Sequence, residues 1–177
     1  MKKSGNNSRW RVLGNGGEQL IWSLLGKNGF TEIRDLNVEK TNYPFADYFA
    51  IKDGQRLAIS VKSRNRLEWN GKKENSRYKL GGVEPVVNGV PHCRMLATNV
   101  CKELDAIGAW IIVQFGQLHY SAYFGTLDLL DTMPRRNAGP ATAILVNPRA
   151  IQSYAVLAKD MPHGMKHKEF RNFDECE

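Results

Sequence analysis

The sequence predicts one α/β domain with a mixed central sheet flanked by helices, and three observations carry that expectation. Apolar residues at helical spacing alternate with β-rich runs along the chain. An Asp53-Gly54 dipeptide between two such runs marks a tight hairpin. A length of 177 residues, 42% of them hydrophobic, suits a single core. Charged residues at 24% and the absence of a repeat argue against disorder, collagen and coiled coil. No window reaches the roughly 18 consecutive apolar residues of a membrane helix, and the start Met1-Lys2-Lys3-Ser4-Gly5-Asn6 leads into no apolar segment. A soluble, cytoplasmic protein without membrane contact is the expectation. Cys93, Cys101 and Cys176 form neither a disulfide framework nor a paired metal motif, and read as reduced thiols.

Taken in order, residues 1–11 are polar, basic and aperiodic, which predicts a flexible arm ahead of a single domain over 12–177. A helix is expected from Gly17, with Leu20, Ile21, Leu24 and Leu25 on one face, Glu18 in a first turn where the helix dipole favours it, and Gly29 as the stop. Phe30 to Val38 reads as a strand closed by a turn near Asn42 and Pro44. Ala46 to Lys52 and Gln55 to Ser63 are the hairpin strands. With Lys52 opposite Gln55, the pairing carries Asp47 opposite Ser60. Val83 to Pro91 suits a loop or edge strand. His92 to Asp105 suits a second helix with Met95, Leu96, Val100 and Leu104 as its stripe. Ala109 to Phe115 and Leu118 to Phe124 are expected as strands, Ala143 to Val146 as a short one, and Pro148 to Leu157 as a third helix.

Lys and Arg number 25 against 18 Asp and Glu, a formal charge of +7, which favours a polyanionic partner. The excess is concentrated. Lys62, Arg64, Arg66, Lys72, Lys73, Arg77 and Lys79 fall within one segment, opposed only by Glu68 and Glu74 and interleaved with Trp69 and Tyr78. Cations with aromatics suit phosphates and unstacked bases. A second basic stretch, Lys159 to Arg171, reads as a solvated surface.

Ser60 and Lys62 share one face of their strand, and Asp47 lies opposite Ser60 on that face. Opposed Cβ atoms in such a hairpin stand about 4.5 to 5.5 Å apart, and the diagonal from Asp47 to Lys62 spans about 7 to 8 Å. A carboxylate and an amine so held suit phosphodiester hydrolysis. The carboxylate holds Mg²⁺ or Mn²⁺, which polarises a phosphoryl oxygen and acidifies a water, and the ammonium offsets developing charge or orients the water. An exposed Asp-Lys pair on an edge strand is the plain alternative.

From Gly17 to Arg64 the chain resembles the PD-(D/E)XK nuclease superfamily, with its restriction endonuclease-like fold, and within it the archaeal-type Holliday junction resolvases. The resemblance rests on a helix with a glutamate, a Gly-Phe junction before a strand, an aspartate after a proline, a hairpin, and a strand ending Ser60-Val61-Lys62. It implies an α-β-β-β-α-β core and a metal-dependent DNA endonuclease. Glu18 matches the helix glutamate, Asp47 the metal-binding aspartate and Lys62 the motif lysine. Two departures stand out. Phe45 and Ala46 separate Pro44 from Asp47, and Ser60 occupies the place of the second acid. Serine supplies no negative charge. Some type II restriction enzymes resemble this case, with a glutamate displaced to a following segment. Glu74 is the first candidate for that role, followed by Glu68, Glu84 and Glu103, while Glu18 is the alternative. Short of that carboxylate, the chain would be a catalytically silent nucleic-acid-binding protein on the same fold.

On this reading Arg64 and Arg66 clamp phosphates at the rim of the site, while Trp69, Lys72, Lys73, Arg77 and Lys79 extend the DNA-binding surface. The partner is DNA, duplex or branched, with RNA left open, and symmetry favours a homodimer for cutting two strands. Other signals lead elsewhere. Gly14-Asn15-Gly16-Gly17 follows no strand and precedes no Gly-Lys-Ser/Thr, so it is no P-loop. His163 and His167 lack the partners of a zinc site. Cys93 and Cys101 suit buried small hydrophobes. Trp22 and Trp110 are expected in the core and Trp69 against a base.

Overall fold

A long central strand, buried on both faces from Leu57 to Val61, organises this fold. The computed structural model describes residues 5–66, 86–87, 90–131, 135–138, 141–144 and 155–165. Helix α1 spans Gly5–Lys27, strand β1 Thr31–Asp35, helix α2 Leu36–Glu39, and strands β2 and β3 Tyr48–Lys52 and Gln55–Asn65. There follow β4 (Val86–Val87), β5 (Val90–Pro91), α3 (His92–Glu103), β6 (Ile107–Phe115), β7 (His119–Thr126), α4 (Leu127–Asp131), β8 (Arg135–Ala138), β9 (Ala141–Ile144) and β10 (Ala155–Pro162). The main sheet has six strands in the order β1-β2-β3-β6-β7-β10, with β4-β5 and β8-β9 as separate ribbons. Only β3 and β6 run parallel within it, and α3 provides the crossover that such a pair requires. The expected mixed sheet is present, and so is the order α-β-β-β-α-β through Phe115, with α2 and the β4-β5 ribbon as short insertions.

The hairpin follows directly from its turn. Asp53 and Gly54 have φ of 51° and 76°, the paired positive angles of a type I′ turn, and Lys52 opposes Gln55 through to Tyr48 opposite Ile59. Leu57, Ile59 and Val61 of β3 join Ile111 and Val113 of β6 and Ile21, Leu24 and Leu25 of α1 in the larger core. Ala58, on the other face, packs with Phe49, Leu36 and Val100 of α3. One helix on each face keeps both sides of the parallel pair dry.

Several boundaries differ from expectation. Helix α1 begins at Gly5, so residues from there to Arg11 are helical where a loose arm was expected, and Glu18 sits mid-helix rather than in a first turn. The glycines that look like a helix entry lie inside it. Gly17 has a packing reason, since a Cβ there would run into Ser63 Oγ on β3. Gly17→Ala is therefore expected to lower stability by about 1–3 kcal/mol through overpacking, against a propensity gain of about 1 kcal/mol. Ser63 is 6% exposed and its hydroxyl has no hydrogen-bond partner among the described residues, so adding Ser63→Ala should recover most of the loss. Urea midpoints of the four variants of this cycle test it; a loss unchanged by Ser63→Ala would remove the contact as its cause.

The strand expected to reach Val38 stops at Asp35. That carboxylate accepts the N–H groups of Asn37 at 2.9 Å and Val38 at 3.3 Å and so caps α2. Ala155 to Leu157, expected to end a helix, belong to β10, which pairs antiparallel with β7; residues 148–154 lie outside the described set. Trp110 is 4% exposed, as expected of the core, but Trp22 is 50% exposed, on the flank of α1 beside the core face that Ile21, Leu24 and Leu25 fill. His163 is structural, 8% exposed, edge-on to Phe115, and accepts Met165 N–H at Nδ1. Cys101 is half-buried, and burial raises its thiol pKa, in keeping with a small apolar role. None of the described helices is long and apolar enough to cross a membrane.

Candidate active site

Strand β2 ends at Tyr48 while its partner β3 continues to Asn65, and the site occupies the gap where they part. Asp47 is the first residue beyond β2. Its backbone is tied on both sides: its N–H donates to Ile59 O at 2.8 Å and its carbonyl accepts Leu36 N–H at 3.0 Å. Its carboxylate turns toward β3. Oδ2 accepts the backbone N–H of Val61 at 2.6 Å and, over a long 3.4 Å, the Ser60 hydroxyl. Oδ1 accepts Asn37 Nδ2 at 3.3 Å, and Asn37 is itself oriented by accepting Tyr43 N–H. Asp47 thus lies opposite Ser60 as the hairpin register requires.

Ser60 is fully buried, and its hydroxyl serves the aspartate rather than replacing an acid. Lys62, two residues on along the same face, is half-buried, with Nζ 5.4 Å from the Trp110 ring centroid. Trp110 neighbours Ser60 across the parallel pair and packs edge-on against Phe45. The indole is a flat support for the lysine stem and a weak attractor for its ammonium.

Glu18 enters from α1. Burial, followed by repulsion from Asp47 and Asp35, raises its carboxyl pKa, and Lys62 pulls the other way. This is the behaviour of an acid gathered with other acids and an amine. Tyr48 Oη donates to Glu18 O at 2.9 Å and fixes the helix over the strand. The Tyr48 hydroxyl pKa is itself raised by burial and by Asp35, Glu18 and Asp47, so the phenol stays neutral.

Among the described residues no three His, Cys, Asp or Glu side chains stand close enough to form a metal-binding group. Two carboxylates suffice for Mg²⁺ bound jointly with substrate phosphates, since this ion takes oxygen ligands and keeps several waters. Glu18 and Asp47 fit that donor set. Glu74, the expected third carboxylate, lies outside the described residues, as do Glu68, Glu84, Trp69, Lys72, Lys73, Arg77 and Lys79. Glu103 is described and is engaged elsewhere, accepting from Tyr43 Oη at 3.3 Å.

The two arginines diverge. Arg64 Nη1 donates to Ser63 O at 2.7 Å, one step past Lys62. Arg66, whose N–H pairs with Phe115 O, reaches Asp160 at 3.0 Å beside the β6–β7 turn. Arg66 thus has a carboxylate partner from β10, at a half-exposed position. Residues that sequence reasoning missed include Asn37, Asp35 and Tyr48. Asp35 had a readable signal as an Asx cap before Leu36-Asn37-Val38; Asn37 had none, because its meeting with Asp47 is a product of the α2 turn.

No protein-family model and no curated protein sequence matches the chain. Among solved structures, the chain is similar to Hjc, a Holliday junction resolvase of Archaeoglobus fulgidus, at 13% identity and a TM-score of 0.46, over 77% of this chain and 89% of that one.

Proposed function

We propose that this protein is a metal-dependent DNA endonuclease with a restriction endonuclease-like fold. The observation that supports the reading most is the Asp47 carboxylate held against Val61 N–H and Ser60 where β2 and β3 part, with Lys62 on the same face of β3 and Glu18 of α1 near enough for Asp47 and Lys62 to shift its carboxyl pKa in opposite directions. Glu18 and Asp47 would hold Mg²⁺ or Mn²⁺, with Glu74 as the further carboxylate. The ion, when bound, supplies Lewis acidity toward a phosphoryl oxygen and a more acidic water. Asp47 is held rigidly for this by Val61, Ser60 and Asn37. Lys62, whose Nζ lies 5.4 Å from the Trp110 ring centroid, would supply positive charge to phosphoryl oxygens that gain negative charge in the transition state. Arg64, Arg66, Trp69, Lys72, Lys73, Arg77 and Lys79 would follow the flanking DNA, duplex or branched. A homodimer acting in the cytoplasm completes the reading.

Cleavage of a labelled duplex and a four-way junction in Mg²⁺ or Mn²⁺ tests it, with Lys62→Ala expected to lose cleavage and retain binding. Absence of DNA binding at low salt would refute it. Arg64→Ala should weaken DNA binding evenly across sequences and reduce the salt slope by about 1. Arg66→Ala should change it less, because its guanidinium must first leave Asp160 to reach a phosphate; an equal effect would show that the Asp160 pair opens at no cost on DNA.

A second reading has its own observation. Asp47 is already engaged by three donors from within the chain, and the place of a second acid is held by one of them, Ser60. A catalytically silent nucleic-acid-binding protein on this fold would show that arrangement and would bind DNA without cutting it under any metal.

A further inference from the structure

Asn15, Glu18, Gln19 and Trp22 lie along one stripe of α1, three to four residues apart, on the side the apolar core does not use. With Tyr48 and Asp35 they line a cleft of about 470 Å³. Glu18 belongs both to this cleft and to the proposed active site. The Trp22 indole is 50% exposed and stands 6.2 Å from the Tyr48 ring at 55°, while the Tyr48 hydroxyl is anchored to α1. A large aromatic held half in solvent at the mouth of a cleft leaves apolar surface that a planar partner would cover.

The lining selects the partner. Glu18 and Asp35 repel a phosphate, so the cleft does not continue the phosphate track. Asn15 and Gln19, both exposed, offer amide donors and acceptors of the kind that read a base edge. An indole face beside side-chain amides suits a neutral, flat, hydrogen-bonding group. We infer that the exposed Trp22 indole, backed by the buried Tyr48 ring, forms a stacking site for one unpaired nucleobase, placing the nucleotide next to the scissile phosphate so that the enzyme favours single-stranded or distorted DNA. This rests on the nuclease reading above and adds the substrate feature recognised by that site.

The test uses the full chain without divalent metal, so that binding is read apart from cleavage. A short oligonucleotide is compared with an abasic strand of the same length and charge. Wild type should bind the base-bearing strand about tenfold or more tightly than the abasic one. Trp22→Ala should remove most of that ratio and leave abasic-strand affinity unchanged, while Trp22→Phe should keep most of it. Equal binding of both strands by wild type, or a ratio unaffected by Trp22→Ala, overturns the inference and leaves the nuclease reading standing. Failure to bind either strand at low salt overturns both. Competition of the base-bearing strand by tetramethylammonium at Trp22, without any base-dependent ratio, would instead make the cleft an aromatic cation cage.

Discussion

Asp47→Asn is expected to lower the cleavage rate by about 100-fold or more while DNA affinity in the absence of divalent metal stays near wild type. The size follows from losing the formal charge at the principal proposed ligand, with geometry nearly kept. Asparagine can still present an oxygen to Val61 N–H, now accepted at 2.6 Å by Asp47. Its amide then faces the Asn37 amide, a donor held in place by Tyr43 N–H, so a small destabilisation accompanies the change. Asp47→Ala is the less informative variant. It leaves Val61 N–H without its acceptor, at a cost of about 1–3 kcal/mol, and mixes folding with chemistry. Single-turnover cleavage, DNA affinity without divalent metal and thermal midpoints separate the effects. Unchanged cleavage in folded Asp47→Asn would remove this aspartate from the mechanism.

Ser60→Glu should have the largest effect on stability, about 3–5 kcal/mol without metal at neutral pH. The side chain enters a fully buried position within reach of the Asp47 carboxylate. Burial and repulsion would raise the folded-state pKa of the new glutamate above its unfolded value. The electrostatic part of the penalty is therefore absent below the unfolded pKa, near 4.3, grows as pH rises toward the folded pKa, and persists above it, while the cost of overpacking is the same at every pH. If Asp47 and Glu18 hold a divalent ion, the added carboxylate becomes a ligand, and Mg²⁺ should raise the thermal midpoint of Ser60→Glu far more than that of wild type. Denaturation scans with Mg²⁺ and with EDTA, at acid and neutral pH, decide this. A variant equally unstable with and without metal would argue that no ion binds here and would favour the silent reading.

How much of this was legible follows from the range of the forces involved. The hairpin could be read because its determinant, Asp53-Gly54, is local, and a two-residue turn allows one register. From that register alone Asp47 meets Ser60, with Lys62 on the same face. The alternation of Leu57, Ile59 and Val61 likewise announced a buried strand. A mixed sheet was expected, but which strands run parallel was not read; β3 meets β6 only once α3 has carried the chain across.

The limits of helices and the fate of the aromatic and basic residues were decided by packing. Gly17 reads as a helix start until β3 is placed against it, where its missing side chain makes room for Ser63. Trp22 reads as core by its size, yet the core face of α1 is filled by Ile21, Leu24 and Leu25, so the indole is left at a cleft with Tyr48. Arg66 reads as part of a basic run, and only the return of β10 brings Asp160 to it. Turn chemistry and strand alternation act between neighbours in the chain and are written in order along it. Close approach, ion pairing and the lining of a cleft depend on residues far apart in sequence, and they exist only once the sheet and its helices are assembled.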